Sequence, residues 1–168
     1  RNRRKNTQRG PGMTAGKKQG RRICIDWENG PGAADQKKLH RLIENILARF
    51  GVEKATVDVA VVGDGTISRM NKQYLGRSGV TDVISFDLSE EKDAGRCFEI
   101  AVNAEQAARQ AAERGLSGES ELALYITHGM LHHLGYDDNL PDSAEAMHKT
   151  EDQILIENGY GRVYHAPN

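Results

Sequence analysis

Apolar residues recur along this chain with two periods, and each run ends at a residue suited to stop it. Ile23-Cys24-Ile25-Asp26-Trp27 is a β-prone run bounded by Asn29-Gly30-Pro31-Gly32, which predicts a strand closed by a turn. Leu39, Leu42, Ile43, Ile46, Leu47 and Phe50 then repeat at helical spacing, behind Asp35 as N-cap and ahead of Gly51 as a stop. Val57 to Val62 predicts a second strand, and Gly63-Asp64-Gly65 opens a helix that carries Ile67, Met70, Asn71 and Tyr74. Val83 to Phe86 and Phe98 to Val102 supply two more strands, followed by helices from Ala104 to Arg114, Glu119 to Leu134 and Ser143 to Asn158. The order βαβαββααα predicts an α+β domain, a mixed sheet of about four strands packed with helices.

Composition adds one feature that periodicity does not reveal. Nine of the 23 lysines and arginines fall within the first 22 residues, which hold no acid, so the remainder is acidic although the whole chain carries a net charge of only −1. With Gly10, Pro11, Gly12, Gly16 and Gly20 and no apolar period, residues 1–22 are expected to be a disordered basic tail ahead of a folded domain over 23–168. Such an arm can contact RNA phosphates through counterion release, or it is an upstream extension, since Met13 could itself be a start. At 168 residues one domain with a real core is expected. No apolar run has the length of a membrane span or of a signal-peptide core, so a cytoplasmic protein with no membrane partner is expected. Cys24 and Cys97 lack the spacing of a zinc knuckle and are expected to be buried free thiols.

Candidate chemistry concentrates in His128-Gly129-Met130-Leu131-His132-His133-Leu134-Gly135-Tyr136-Asp137-Asp138. Two imidazoles four residues apart share one face of a helix with about 3.6 residues per turn, within reach of one ion. Gly135 can end that helix in the left-handed conformation and fold Asp138 back as a third ligand. Two histidines and a carboxylate with a position left for water is the composition of a catalytic zinc site, here at the end of a central helix. His133 points about 100° away and reads as a flanking residue. Gly129 stands where a protease of the HExxH type carries its general base, so peptidase chemistry is disfavoured, and it leaves room for a bulky substrate near an ion. Elsewhere, Gly63-Asp64-Gly65 lacks the lysine and spacing of a phosphate loop and reads as a turn and helix cap. His148, with Glu145, Glu151 and Asp152 nearby, reads as a solvated charged face, and His40 and His165 carry no partner pattern.

The histidine segment resembles the signature of the YbeY family of metal-dependent endoribonucleases, the rRNA maturation factors, whose pattern runs His-Gly-x-Leu-His-Leu-x-Gly-Tyr-Asp-His. His128, Gly129, Leu131, His132, Gly135, Tyr136 and Asp137 match it, while the family's third histidine is Asp138 here. A carboxylate binds zinc at nearly the same distance as imidazole, lowers the formal charge of the site by one, and shifts preference toward harder ions such as Mn or Mg. Met70-Asn71-Lys72-Gln73-Tyr74-Leu75, Thr81-Asp82-Val83-Ile84-Ser85-Phe86 and Glu99-Ile100-Ala101-Val102-Asn103 resemble three further family elements in order and spacing. Two positions depart: Leu75 replaces an arginine suited to grip phosphate, for which Arg77 is the nearest substitute, and Val80 replaces a proline.

The resemblance implies a zinc-dependent, single-strand-specific endoribonuclease acting on rRNA with the ribosome or its small subunit as partner, in rRNA maturation and ribosome quality control. It implies His128, His132 and Asp138 as ligands, Arg77 and Ser85 as substrate contacts, and Asp137, Asp82 and Arg77 as candidate catalytic residues. Asp137 and Asp82 compete for the role of base, and either is equally suited to cap a turn. Two other readings stand beside this one: a ribosome-associated RNA-binding protein with impaired catalysis, consistent with Leu75 and Asp138, and a metallohydrolase of another substrate.

Overall fold

The computed structural model of the chain describes residues 20–30, 32–90 and 95–164. Strands β1 (Arg21–Trp27), β2 (Ala55–Val62), β3 (Val83–Asp87) and β4 (Arg96–Asn103) form one sheet in the order β1-β2-β4-β3, with β1, β2 and β4 parallel and β3 antiparallel to β4. Helices α1 (Gln36–Arg49), α2 (Asp64–Leu75), α3 (Ala104–Arg114), α4 (Gly118–His133) and α5 (Pro141–Glu157) complete the predicted order and the α+β class. Residues 1–19 of the predicted basic tail, and His165, lie outside the described residues.

The pleat of β2 assigns the two faces of the sheet. Val57, Val59 and Val61 join the main core with Phe98, Ile100 and Val102 of β4, whereas Val62 packs on the other side with Ile67, Ile84 and Ala101. Helices α1 and α4 cover the first face and α5 packs on α4, while α2 lies against the second. Asp35 caps α1 as predicted, its Oδ1 accepting from the Lys37 and Lys38 amides at 2.9 and 3.1 Å.

α4 is the element that carries the site, and it is buried over most of its length, from Ser120 through Thr127 and again at Gly129 to Leu131. A helix apolar nearly all round can only sit inside a layered core, and α4 does so between the sheet, α1, α3 and α5. Gly129 explains how close it comes. A Cβ there would meet Val83 Cγ2 at 3.2 Å, Ser85 Cβ at 3.3 Å and Ile100 Cγ2 at 3.4 Å. The expected room for substrate beside Gly129 is therefore filled by the sheet; the glycine serves helix packing.

Three sequence expectations need adjusting. β1 starts at Arg21, so Arg21 and Arg22 belong to the sheet and not to the tail; Arg21 Nε donates to the Val52 carbonyl at 2.7 Å, which holds the first residue of the strand. α5 starts at Pro141 because proline suits the first helical turn, where its missing N–H costs no hydrogen bond. Cys24 and Cys97 are both free, as expected, but only half-buried.

Candidate metal centre

His128 and His132 emerge where α4 leaves the core, and their Nε2 atoms face each other at 3.0 Å. Leu134 closes the helix and Gly135, at φ +101°, turns the chain so that the Tyr136 amide donates to the Leu131 carbonyl at 3.0 Å. The Tyr136 ring stands edge-on to Phe50, the C-cap of α1, at 6.0 Å, which anchors the loop. Asp138 is thereby returned to the histidines, with its Oδ2 3.7 Å from His128 Nε2 and its Oδ1 3.8 Å from His132 Nε2.

These three residues form a group whose donor atoms all lie within 4.8 Å of one another. Ligands about 2.0–2.2 Å from a tetrahedral zinc lie about 3.3–3.6 Å apart, so the observed separations bracket what one ion requires. The donor chemistry fits as well. His128 Nδ1 is paired with Glu151 Oε1 at 2.7 Å, and a carboxylate there accepts the ring N–H and leaves the Nε2 lone pair toward Asp138 and His132.

Glu151 was read from sequence as part of a solvated face, and the structure overturns that reading. Its side chain is only 1 % exposed, and its second oxygen takes His148 Nδ1 at 2.8 Å. His148 in turn stacks on Tyr164, with ring centroids 3.5 Å apart. Asp152, also buried, accepts the Val163 and Tyr164 amides at 3.1 and 3.0 Å, and so secures the segment that carries Tyr164. Burial alone would lower the His128 pKa, but the hydrogen bond and charge of Glu151, with Asp82 and Asp138 behind it, raise it above the ordinary value.

A cleft of about 590 Å³ opens from His128 and Asp138 toward α3. Asp82 lines it and Asp137 does not. Asp82 is exposed at the start of β3, its Oδ1 accepting from the Val83 amide at 2.8 Å, and its backbone carbonyl takes the Asn103 amide at 2.8 Å. Asp137 is occupied as a turn former: its Oδ1 accepts the Asn139 amide at 3.0 Å, and that bond holds its pKa below the usual carboxylate value. Ser85 faces α4 beneath Gly129, and Arg77 is exposed in the loop after α2; neither lines the cleft. His133 stacks on Phe98 at 5.5 Å, and burial lowers its pKa; it is not in the metal-binding group.

Sequence reasoning missed two charged residues of the cleft, Glu121 and Arg114. Glu121 lies seven residues before His128 and Tyr125 three before it, so all share one face of α4, a spacing that could have disclosed them. Burial raises the pKa of Glu121 against the opposing charge of Arg114, and burial followed by the Glu121 charge raises that of Tyr125.

Comparison with known proteins supplies the family. The family model described as endoribonuclease YbeY matches residues 25–159. The chain belongs to the YbeY endoribonuclease family. YbeY relatives include one from an Anaeromyxobacter species, 32% identical over 138 residues, covering 82% of this chain and 72% of the relative. Another, from Geobacter sulfurreducens, is 35% identical over 131 residues, covering 73% of this chain and 87% of that one. A third, from Lysinibacillus sphaericus, is 34% identical over 148 residues, covering 82% and 94%. The solution structure of TM1509 from Thermotoga maritima is similar at a TM-score of 0.56 and 26% identity, covering 88% of this chain and 99% of that one.

Proposed function

We propose that this protein is a metal-dependent endoribonuclease that cuts single-stranded RNA during rRNA maturation and ribosome quality control, in the cytoplasm and in contact with the ribosome or its small subunit. The observation that carries the reading is the convergence of His128 Nε2, His132 Nε2 and an Asp138 oxygen beside an open cleft, in a chain of an endoribonuclease family. Asp82, Glu121, Asp138 and Glu151 bring four carboxylates to that cleft against one guanidinium, a balance that disfavours a phosphate group until a cation enters.

His128, His132 and Asp138 are the residues suited to hold the ion. Zinc there, or Mn or Mg given the carboxylate, would supply Lewis-acid activation of the phosphodiester and of the attacking water. Glu151 fixes the tautomer and ring plane of His128 through the 2.7 Å bond. Asp82 is the proposed general base, since its carboxylate lies on the cleft wall near His128, whereas Asp137 does not line the cleft. Ser85 and Arg77 are proposed as contacts with RNA running beyond the cleft.

Cleavage of ribosomal RNA with and without a chelator tests the reading. Activity lost on chelation, restored by zinc or manganese and abolished in Asp82→Asn is expected. Metal-loaded protein that binds RNA, leaves it intact and gains cleavage as Asp138→His would instead mark an impaired RNA-binding protein.

A further inference from the structure

Arg114 is the only lysine or arginine among the described residues that line the metal cleft. It sits at the last position of α3, just before Gly115 turns the chain at φ +68°, and its side chain keeps 37 % of its surface exposed. One of its N–H groups is spent on a buried anchor: Nη1 donates to Glu121 Oε1 at 2.9 Å, and the Glu121 side chain is 1 % exposed. A longer bond of 3.4 Å runs from Nη2 to Gln110 Oε1, also on the cleft wall. A guanidinium has five N–H donors in a rigid fork, so this one is held in place with donors left over.

Its anchor on α4 gives those donors a use. Glu121, which fixes the guanidinium, precedes His128 by seven residues on the same helix face, about 10.5 Å along the axis at 1.5 Å per residue. The cleft thus carries both a metal-binding group and an anchored cation, with Tyr125 between Glu121 and His128 on the same face of α4 and Asp82 also on the lining.

We propose that Arg114 grips a backbone phosphate of a single-stranded RNA, one adjacent along the strand to the phosphate at the metal centre, and that Glu121 is the positioning residue that aims it. The proposal rests on the endoribonuclease reading and deepens it, because it assigns this chain a phosphate-gripping arginine in place of the one absent at Leu75. Arg114 binds an anion that is not being cleaved, so its contribution is to affinity and to alignment of the strand.

Binding of a short single-stranded oligoribonucleotide with phosphorothioate linkages, measured by fluorescence anisotropy on the zinc-loaded protein across a salt series, tests this. Arg114→Gln should weaken binding about tenfold and flatten the slope of log K against log salt by about 0.7, the loss of one phosphate contact on a single strand. Arg49→Gln, which removes a cation from α1 that does not line the cleft, should leave the slope unchanged. Because Arg114→Gln strands a buried carboxylate, the double variant Arg114→Gln/Glu121→Gln repeats the measurement without that penalty and should show the same flattened slope. Wild-type protein that binds with a slope the variants do not alter would overturn the role of Arg114 alone. Zinc-loaded wild-type protein that does not bind RNA would overturn the endoribonuclease reading, and this proposal with it.

Discussion

Two places in this protein combine a glycine, a helix end and a cluster of charged side chains, and only one of them is left open. At the start of α2, the Gly63 and Asp64 amides are taken by Glu28 Oε2 at 2.8 Å and Glu105 Oε2 at 2.7 Å. Asp64 itself accepts from Arg109 Nη1 and Nη2 at 2.8 and 2.9 Å and from the Asn103 side-chain Nδ2 at 2.7 Å, and these bonds depress its pKa. The Gly63 and Asp64 amides and both Asp64 oxygens thus have protein partners, and an anion approaching the helix terminus would meet the Glu28 and Glu105 carboxylates already there. At the end of α4, by contrast, the buried partners lie behind the ligands and the donor atoms face one another across a cleft. Satisfied charges build structure, whereas donor atoms that converge beside an open cleft build a site.

The sharpest way to break this contrast is to remove a ligand. His132→Ala should abolish stoichiometric metal binding, an affinity loss beyond the roughly 100-fold upper end for outer partners, while circular dichroism stays that of the folded protein. Glu151→Gln should cost about 10–100-fold in zinc affinity by competition with a chromophoric chelator, because the amide no longer accepts the His128 ring proton as a charged group. A Glu151→Gln protein with unchanged affinity would mean the carboxylate is only a structural support.

A pH series sharpens the same point from the metal-free state. The Glu151 bond raises the His128 pKa above the ordinary 6.5, so its contribution to stability is fully present below about pH 6.5 and is lost as pH rises through the higher folded-state value. Metal binding needs that nitrogen deprotonated and runs in the opposite sense. The rise in Tm caused by zinc should therefore grow between pH 6 and pH 8. The smallest effect belongs to the closed end: Glu105→Gln should lower Tm by a few degrees and leave metal content unchanged, since it removes only a charge from a helix terminus.

What could be read from the chain follows from where the physics is local. Leu39 to Phe50 and Val57 to Val62 alternate with the period of the element they form, so the helix, the strand and the whole α+β order were legible. His128 and His132 were legible because one helical turn fixes their relation, and Asp138 because Gly135 forces the turn after it. Glu151 was misread because its neighbours Glu145 and Lys149 are solvent-exposed, although Met147, Ile154 and Leu155 mark its own face of α5 as the buried one. Arg114 had no such signal: it reaches the cleft only because α3 packs beside α4, a tertiary fact. Gly129 was assigned to substrate access when its true constraint was the sheet beneath it, which no periodicity in α4 encodes.

The central claim is that His128, His132 and Asp138 together hold one metal ion, and Asp138 is its most exposed element. Metal analysis of the purified protein beside an Asp138→Ala variant tests it directly. One equivalent of zinc, or of a harder divalent ion, in the wild-type protein and a large loss in the variant is the expected result; equal metal content in the two proteins would contradict it.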